Sequence, residues 1–416
     1  MNGLEKADGF LSEQEIAGVV REGLGALPLD GKRVLVLIPD GTRTMPMPLM
    51  FRLLQEMLLG RAAALDFIVA LGTHGPMDDT ALSKLVGAPV TDGQVGDSHI
   101  YNHLWMTPET FVHLGTIPAA EIGRLSGGLL EMDVPVTLNR IVLDYDFLLI
   151  CGPVFPHEVV GFSGGNKYLF PGIAGAEIIN FTHWLGALMT NYRIIGAGYT
   201  PVRAVIDKAA AFVDRPMACL ALVVSHGGTH GLFCGTPQEA WEAASALSAQ
   251  KHILYLEEPV QRVLSIMPHL YDDLWTGAKG MYKMEPVVAD GGEVVIYAPH
   301  ISEVSYTHGR ILDEVGYHTR DYFVKQWERF KGYPWGVLAH STHVKGMGEY
   351  NAASGVERPR IQVTLATSIP EERARRINLG YLDPAAVKIE EWQGREAEGV
   401  LVVPRAGEML YRLKEK

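Results

Sequence analysis

Short runs of β-branched and aliphatic residues alternate with helix-patterned stretches along nearly the whole chain. The runs have the length of buried strands. They cover residues 33–38, 65–71, 146–154, 218–224, 253–256, 293–298, 337–339, 362–366 and 400–403. Helical patterns cover residues 47–59, 201–213, 236–247, 318–330 and 369–379. Such alternation is typical of βαβ units and predicts an α/β fold with mainly parallel sheets.

The length of 416 residues predicts more than one domain, since domains usually hold about 100–200 residues. We predict two α/β domains with mainly parallel sheets and an interdomain cleft. The predicted boundaries are 1–257 for the N-terminal domain and 258–395 for the C-terminal domain. A tail at 396–416 is a candidate to return to the first domain. Residues 99–138 have an irregular pattern and are left unassigned.

Composition excludes several classes of protein. The net charge of −12 argues against nucleic-acid binding, which needs a basic surface. Three cysteines are too few for a disulfide framework or a four-thiolate zinc site, so a cytoplasmic location is expected. The acidic N-terminus lacks the pattern of a secretory signal, and no apolar run is long enough to predict a membrane span. Small-molecule chemistry is the default expectation.

Polar residues follow the predicted strands directly. They occur at residues 40–43, 72–74, 155–157, 225–228, 299–300 and 340–343. The carboxyl ends of parallel strands gather their loops at the ligand crevice of an open α/β sheet. The pattern therefore predicts one shared site. His340 and His343 are weaker candidates, because an extended strand would point them to opposite faces.

The segment 156–175 holds five glycines and two prolines, which fix a backbone that turns sharply. Ser163, Gly164 and Gly165 precede Lys167 in a loop whose amides could face an anion. The spacing matches neither the P-loop nor the dinucleotide-binding glycine motif. An ordinary surface turn with a solvated lysine is the open alternative.

Two histidines, His74 and His157, each follow a strand beside a glycine or proline. A pair of imidazoles, with an ordinary pKa of about 6.5, can serve as general acid and base near neutrality. A structural role is an equal alternative for either one. His183 adjoins Trp184, and a buried structural histidine is the usual case at such a position.

A second cluster is the segment with Asp40, Thr42 and Arg43. Arginine suits bidentate capture of a carboxylate or phosphate, and aspartate suits sugar hydroxyls, so a nucleotide-like ligand would engage all three. An N-cap with a surface arginine is the alternative. Lys279 is a candidate cationic anchor in the second domain, or else a solvated lysine.

The order of these motifs is informative. Asp-x-Thr-Arg, Gly-Thr-His, Pro-His-x-x-x-Gly-x-Ser-Gly-Gly-x-Lys and a histidine sixteen residues further on follow one another along the chain. This order resembles the nickel-dependent lactate racemase family, the LarA-type 2-hydroxyacid racemases and epimerases, from about Val34 to Lys279. The resemblance implies an isomerase that acts on a small 2-hydroxy acid.

The resemblance also implies a cofactor, the nickel pincer nucleotide, a pyridinium-3-thioamide-5-thiocarboxylic acid mononucleotide that holds nickel. Lys167 matches the lysine of the thioamide link, and His183 matches the nickel-binding histidine. Single imidazole ligation beside sulfur and carbon donors suits Ni(II). The strand-end cluster and the glycine loop are then cofactor-binding. Cofactor maturation enzymes are the implied protein partners.

The resemblance further assigns His74 and His157 as the acid/base pair and Arg43 and Lys279 as residues that face the substrate carboxylate. An imidazole is too weak a base to remove the α-hydrogen of a 2-hydroxy carboxylate as a proton. Proton-coupled hydride transfer to the cofactor avoids this barrier and leaves a planar 2-keto acid that can be reduced on either face.

This sequence departs from the family pattern near the expected substrate. Gly41 and Thr44 replace a His and a Pro, Gly75 follows His74, and Thr276 stands where lactate enzymes carry Gln. A larger or more polar 2-hydroxy acid, such as a sugar acid or an aromatic one, is therefore a candidate substrate. The alternatives are a non-catalytic cofactor carrier and a nickel-free enzyme that depends on Lys167.

Overall fold

The computed structural model describes residues 1–414, which form two compact units. Unit 1 comprises Met1–Phe155, Phe162–Thr182 and Gly198–Lys251. Unit 2 comprises Pro156–Gly161, His183–Ala197 and the chain from His252 onward. The chain thus passes between the units inside the glycine-rich segment, whereas the predicted boundaries kept all of 1–257 together.

The strands and helices have the following bounds. The strands are β1 Asn2–Glu5, β2 Arg33–Ile38, β3 Ala64–Val69, β4 Gln94–Val95, β5 Ser98–Asn102, β6 Phe111–Ile117, β7 Val134–Asn139, β8 Phe147–Pro153, β9 Pro156–His157, β10 Gly161–Phe162, β11 Met217–Ser225, β12 Gly228–Gly235, β13 Ile253–Leu256, β14 Val260–Ile266, β15 Val288–Ala298, β16 Gly348–Asn351, β17 Val356–Pro359, β18 Gln362–Thr367, β19 Gly380–Tyr381, β20 Val400–Pro404 and β21 Leu410–Leu413. The α-helices are α1 Glu13–Gly25, α2 Met47–Leu58, α3 Asp79–Val86, α4 Ala119–Leu125, α5 Ala176–Met189, α6 Asn191–Ile194, α7 Pro201–Ala210, α8 Pro237–His252, α9 Leu274–Gly277, α10 Lys279–Tyr282, α11 Gly309–Val315, α12 Arg320–Val324, α13 Trp327–Phe330, α14 Trp335–Lys345 and α15 Glu371–Arg376.

Unit 1 is built on an eight-stranded sheet with the order β1-β12-β11-β8-β2-β3-β5-β4. The central strands β11, β8, β2, β3 and β5 are parallel. The chain runs outward from β2 to β5 and then returns to the other side of β2 as β8. The strand order therefore reverses between β2 and β8, and ligands bind beyond the carboxyl ends of strands at such a reversal. Asp40 follows β2, and Lys167 follows β8.

Unit 2 has a five-stranded, wholly parallel sheet with the order β19-β18-β15-β14-β20. The reversal here lies between β14 and β20, and Lys279 follows β14. The tail predicted to return to the first domain instead belongs to this sheet. Its strand β20 pairs with β14 from Arg262↔Val400 to Ile266↔Pro404, because its apolar residues extend the core of unit 2.

The mainly parallel α/β architecture with two units is as predicted, but one predicted strand is wrong. Residues 337–339 lie inside α14, which begins after Pro334 and ends at Gly346, where φ is 80°. Every residue of α14 from Val337 to Lys345 is buried. A helix buried on all sides lacks an amphipathic stripe, so its short apolar run resembles a strand.

The unassigned region 99–138 contains β5, β6, α4 and most of β7. β6 and β7 pair as an antiparallel ribbon with an irregularity between His113 and Gly115. Such a ribbon has no long apolar run, which explains the irregular sequence pattern. Within the described residues, no helix has both the length and the apolar character needed to cross a membrane.

Gly152 on β8 provides a stability test, because a Cβ there would lie 1.7 Å from the Tyr168 hydroxyl oxygen. We expect Gly152→Ala to lower the free energy of unfolding by about 1–3 kcal/mol through overpacking. The matched control is Gly18→Ala in α1, where nothing lies within 4 Å of the new carbon. It should raise stability by about 0.5–1 kcal/mol. Urea unfolding measures both, and equal effects would contradict the packing described here.

Candidate functional site

The Asp40 side chain links two strand ends of unit 1. Its Oδ2 lies 2.5 Å from His74 Nδ1, and its Oδ1 accepts hydrogen bonds from the Thr42 hydroxyl at 2.6 Å and the Thr42 amide at 3.0 Å. Arg43 Nη1 donates to the Thr42 hydroxyl oxygen at 3.0 Å. The three residues of the predicted cluster are thus joined to a predicted catalytic histidine.

Asp40 is charged although it is 7% exposed. Burial alone would raise its pKa, but His74, Arg43 and Thr42 outweigh burial and hold the pKa of Asp40 well below its ordinary range. A charged carboxylate accepts hydrogen bonds and does not donate them, so His74 Nδ1 carries the proton. The Nε2 atom of neutral His74 is therefore the acceptor, as a general base requires.

The segment 162–175, which contains Lys167 and is called the lysine loop below, is held by contacts within unit 1. Gly164 and Gly165 have φ values of 83° and 58°, which favour glycine. Ser163 Oγ accepts from the Phe155 amide at 3.0 Å and donates to the Pro153 carbonyl at 3.2 Å. These contacts fix the backbone just before the helical turn Gly165–Tyr168, which contains Lys167.

A buried arginine binds the carbonyl groups of the same loop. Arg203 is 1% exposed, and its guanidinium donates to the carbonyls of Gly164 at 3.0 Å and Phe162 at 2.5 Å. It also lies over the Trp241 ring, whose Nε1 donates to the Ser163 carbonyl at 3.0 Å. The predicted cofactor-binding loop thus has its carbonyls engaged by the protein interior.

The lysine loop lies beside the loop after β3, which contains His74. The Gly72 amide donates to the Gly172 carbonyl at 2.9 Å. Tyr168 is buried, and its hydroxyl group interacts electrostatically with Arg43 and Asp40. Burial raises the pKa of the Tyr168 hydroxyl well above its ordinary value, so the phenol is neutral. Unit 1 therefore gathers the segments after β2 and β3 and the segment with Lys167 in one place, whereas residues 156–157, 299–300 and 340–343 belong to unit 2.

In unit 2, the second predicted catalytic histidine also lies beside a carboxylate. His157 is 6% exposed, and its Nδ1 lies 3.1 Å from the Val159 amide nitrogen and 3.4 Å from Glu158 Oε2. In the neutral ring, Nδ1 accepts from the amide. When the ring is protonated, the Glu158 carboxylate, 3.4 Å from Nδ1, stabilises its positive charge. In that form, Nε2 of His157 is the nitrogen that exchanges protons with a ligand.

Glu158 was not singled out from the sequence. Burial opposes its charge, but His157, Lys279 and a backbone hydrogen bond hold the pKa of Glu158 well below its ordinary range. Unit 2 therefore keeps a charged carboxylate among cationic and imidazole groups. A glutamate that follows a motif histidine has no distinctive sequence signal.

Lys279, the predicted anchor, is 9% exposed at the start of α10. Its Nζ lies 3.4 Å from the Thr276 carbonyl oxygen and 4.8 Å from the centre of the Tyr271 ring. Gly407, which follows β20, packs so closely that a Cβ there would be 3.2 Å from Lys279 Cβ. Lys279 thus lies where the loops after β14 and β20 meet, at the reversal of the sheet.

His183 lies on α5, in the part of that helix belonging to unit 2. Its neighbour Trp184 is 2% exposed and stacks on Trp327 with ring centres 5.1 Å apart. The stacking holds α5 against α13. His343 on α14 lies within electrostatic range of His183. The sequence ranked His343 low, because the helix that places it was read as a strand.

Comparison with known proteins identifies the family. A family model described as "Lactate racemase N-terminal domain" matches residues 19–194, the region that holds Asp40, His74, His157, Lys167 and His183. This part of the chain belongs to the lactate racemase family.

Similar proteins agree with this assignment. The lactate racemase of Thermoanaerobacterium thermosaccharolyticum is 23% identical over 271 residues, which are 64% of this chain and 60% of that protein. The chain thus matches about three-fifths of the length of this curated relative. The structure of the lactate racemase apoprotein from the same organism superposes with a TM-score of 0.73 at 19% identity, over 98% of this chain and 94% of that one.

A crystal structure of a Thermotoga maritima protein is more similar. It has a TM-score of 0.90 and 31% identity, and the match covers 99% of this chain and 100% of that one. Together these structures confirm the α/β fold that the family resemblance implied.

A buried histidine, His103, forms a hydrogen bond with the end of the lysine loop and provides a test of how stability depends on pH. His103 is 1% exposed, donates from Nε2 to the Ala174 carbonyl at 3.2 Å and accepts at Nδ1 from the Asn139 amide at 3.2 Å. Burial lowers the pKa of His103 to about 4. Between about pH 6.5 and pH 4, His103 is therefore protonated in the unfolded chain and neutral in the folded chain. The free energy of unfolding should fall as the pH drops from 6.5 to 4.

His103→Gln, which keeps a donor and an acceptor, should flatten this fall by up to about 1.4 kcal/mol per pH unit. Denaturant unfolding at several pH values measures the slope. His113→Gln, at an exposed position, serves as the control and should leave the slope unchanged. If the free energy of unfolding depended on pH equally in the His103 variant and the parent protein, burial would not lower the pKa of this ring.

Proposed function

We propose that this chain is a racemase or epimerase of a 2-hydroxy acid that uses a nickel pincer nucleotide attached to Lys167. One observation carries the proposal beyond the family match. Each of the two candidate acid/base histidines has a charged carboxylate near Nδ1: the buried Asp40 at 2.5 Å for His74, and the half-buried Glu158 at 3.4 Å for His157. Such a carboxylate fixes the ring and stabilises its protonated form, which leaves Nε2 for the substrate.

The chain fits the cofactor by its donor set. Among residues 1–414, no group of three or more His, Cys, Asp or Glu side chains is arranged to hold a metal ion. A nickel ion at His183 would be held by this imidazole together with the sulfur and carbon donors of the pincer. Lys167, on a turn fixed by Gly164 and Arg203, is the amine that would hold the nucleotide. When bound, the cofactor would supply a hydride acceptor and donor for C2 of the substrate.

The residues of the chain manage the protons in this proposal. Neutral His74 accepts the proton of the 2-hydroxyl group at Nε2, and Asp40 stabilises the resulting imidazolium. His157, protonated and facing Glu158, returns a proton to the same oxygen after the 2-keto acid is reduced on its other face. Arg43 and Lys279 bind the carboxylate, which keeps C2 in place.

The first test concerns the cofactor. Protein produced together with the cofactor-making enzymes should contain nickel and a covalent mass increase on Lys167. Lys167→Ala should lose both, because the thioamide link needs an amine. The exposed Lys84→Ala is the matched control and should keep both. Intact-mass spectrometry and elemental analysis measure the outcome. A parent protein that interconverts 2-hydroxy acids with neither nickel nor adduct would favour the nickel-free enzyme instead.

The second test concerns the two histidines. His74→Ala and His157→Ala should each lower the interconversion rate by about 10²–10⁴-fold and still bind nickel, because neither is the predicted ligand. Loss of optical rotation of single-enantiomer 2-hydroxy acids measures the rate, and His113→Ala is the control. A variant that racemises at the parent rate would refute the two-base scheme. Nickel-loaded parent protein without any interconversion would instead support a non-catalytic carrier.

A further inference from the structure

A small polar cavity in unit 2 is lined by residues that the candidate site does not use. Its walls come from the C-terminal ends of α5 and α14 and from the helical turn Glu285–Val287. Its volume, measured for the centre of a water-sized sphere, is about 10 Å³. Such a cavity has room for one small ion or molecule.

Two of the lining residues each hold a buried side-chain oxygen that lacks a hydrogen-bond partner in the described chain, Oδ1 of Asn191 and Oγ1 of Thr190. Asn191 is 3% exposed. Its Nδ2 donates to the Tyr282 carbonyl at 3.0 Å and to Glu285 Oε2 at 3.2 Å, so the orientation of the amide is fixed. Most buried polar atoms are paired, because leaving one unpaired is costly. The two oxygens therefore indicate a ligand that needs oxygen donors.

Glu285, another lining residue, is a fully buried carboxylate with little compensating charge. Its Oε1 accepts from the Met347 amide at 2.7 Å. Arg360 is the cation that acts on it, but this guanidinium donates to the backbone carbonyl of Glu285 at 2.6 Å and pairs with Asp290 at 3.1 Å. Burial therefore raises the pKa of Glu285. A positive charge in the cavity would offset the cost of keeping this carboxylate ionised.

The ends of two helices also favour a cation in this cavity. Ala187 lies in the last turn of the 14-residue α5, and Thr342 lies in the last turn of the 11-residue α14. The last four carbonyls of a helix lack partners within the helix and carry partial negative charge. Both helices direct this negative end toward the cavity. An anion would be repelled there, whereas a cation would be attracted.

Two further lining residues bear on the sign of the ligand. The Thr342 hydroxyl donates its proton to the Ala339 carbonyl at 2.8 Å, so its oxygen is left as an acceptor. Arg320 would oppose a cation, but its Nη1 donates to the Leu188 carbonyl at 2.9 Å, and it is not among the groups that shift the pKa of Glu285. The cavity thus offers one carboxylate and several neutral oxygens.

We propose that this cavity binds a monovalent alkali cation, potassium or sodium, through the side-chain oxygens of Thr190, Asn191 and Glu285. Hard cations prefer oxygen ligands, and one carboxylate balances one positive charge. The cavity has no room for the several waters that magnesium retains. The bound ion would join the ends of α5 and α14 to the turn at Glu285. This inference does not depend on the proposed function.

The test measures the melting temperature of the full-length protein in chlorides of potassium, sodium and tetramethylammonium, each at about 200 mM, since a ligand that binds only the folded state stabilises it. Tetramethylammonium keeps the ionic strength constant and is too large for the cavity. The parent should melt about 2–4 °C higher in one or both alkali salts. Glu285→Gln, which keeps the shape of the side chain, should lose this difference. Glu390→Gln, at an exposed position, is the matched control and should keep it.

A milder variant and a direct observation support the same test. Thr190→Val keeps the branched shape and removes one oxygen, so the potassium concentration at half effect should rise by about three- to tenfold, as expected for the loss of one ligand. Thallium(I), which resembles potassium in size and scatters X-rays anomalously, locates the ion in crystals. An anomalous peak should contact Asn191 Oδ1 and the Glu285 carboxylate in the parent and be absent from Glu285→Gln.

Three outcomes would overturn the proposal. The first is equal melting temperatures of the parent in all three salts. The second is an ordered water only, without anomalous signal, beside Asn191 and Glu285. The third is a rise that depends on Glu285 with calcium chloride and not with the alkali salts, which would indicate a divalent site. Because none of these measurements needs the nickel cofactor or turnover, they leave the racemase proposal to its own tests.

Discussion

A charged carboxylate beside a histidine, buried at Asp40 and half-buried at Glu158, is the constraint on which each unit's chemistry depends. Burying such a charge is costly unless hydrogen bonds and opposite charges offset it. Asp40 has the His74 ring, the Thr42 hydroxyl and amide, and the nearby Arg43. These partners come from the loops after β2 and β3, so the carboxylate also sets how the strand ends meet. The loop after β8 joins them through the Gly72–Gly172 hydrogen bond.

Much of the fold could be predicted, because strands buried on both faces leave continuous apolar runs in the sequence. Arg33–Ile38 and Ile253–Leu256 have the predicted bounds, and other strands differ by a few residues. The division into units could not be predicted. The chain changes unit at 156–161 and again at 183–197 within a motif whose local pattern carries no information about which core it joins. The tail was misplaced for the same reason, since strand pairing is a long-range choice.

The site was predictable as a set of residues but not as a set of contacts. His74 and Asp40 were named separately, and their pairing spans 34 positions. Glu158 follows a motif histidine and has no signal of its own. His343 was ranked low because α14 is buried on all sides, and a helix buried in this way lacks the amphipathic stripe of a surface helix. Sequence patterns therefore miss residues such as Glu158 and His343, whose surroundings are set by contacts between distant parts of the chain.

A proton count explains why two carboxylate-backed histidines suit a racemase. In the proposed mechanism the substrate loses and regains one proton, so one histidine must start neutral and the other protonated. After a turnover the protonated ring is His74 and the neutral ring is His157, which is the state required for the reverse reaction. Asp40 and Glu158 stabilise the imidazolium on either side, so neither direction needs a proton from solvent. A single histidine with a carboxylate would favour one enantiomer as the starting point, whereas a second such histidine lets the reaction start from either enantiomer.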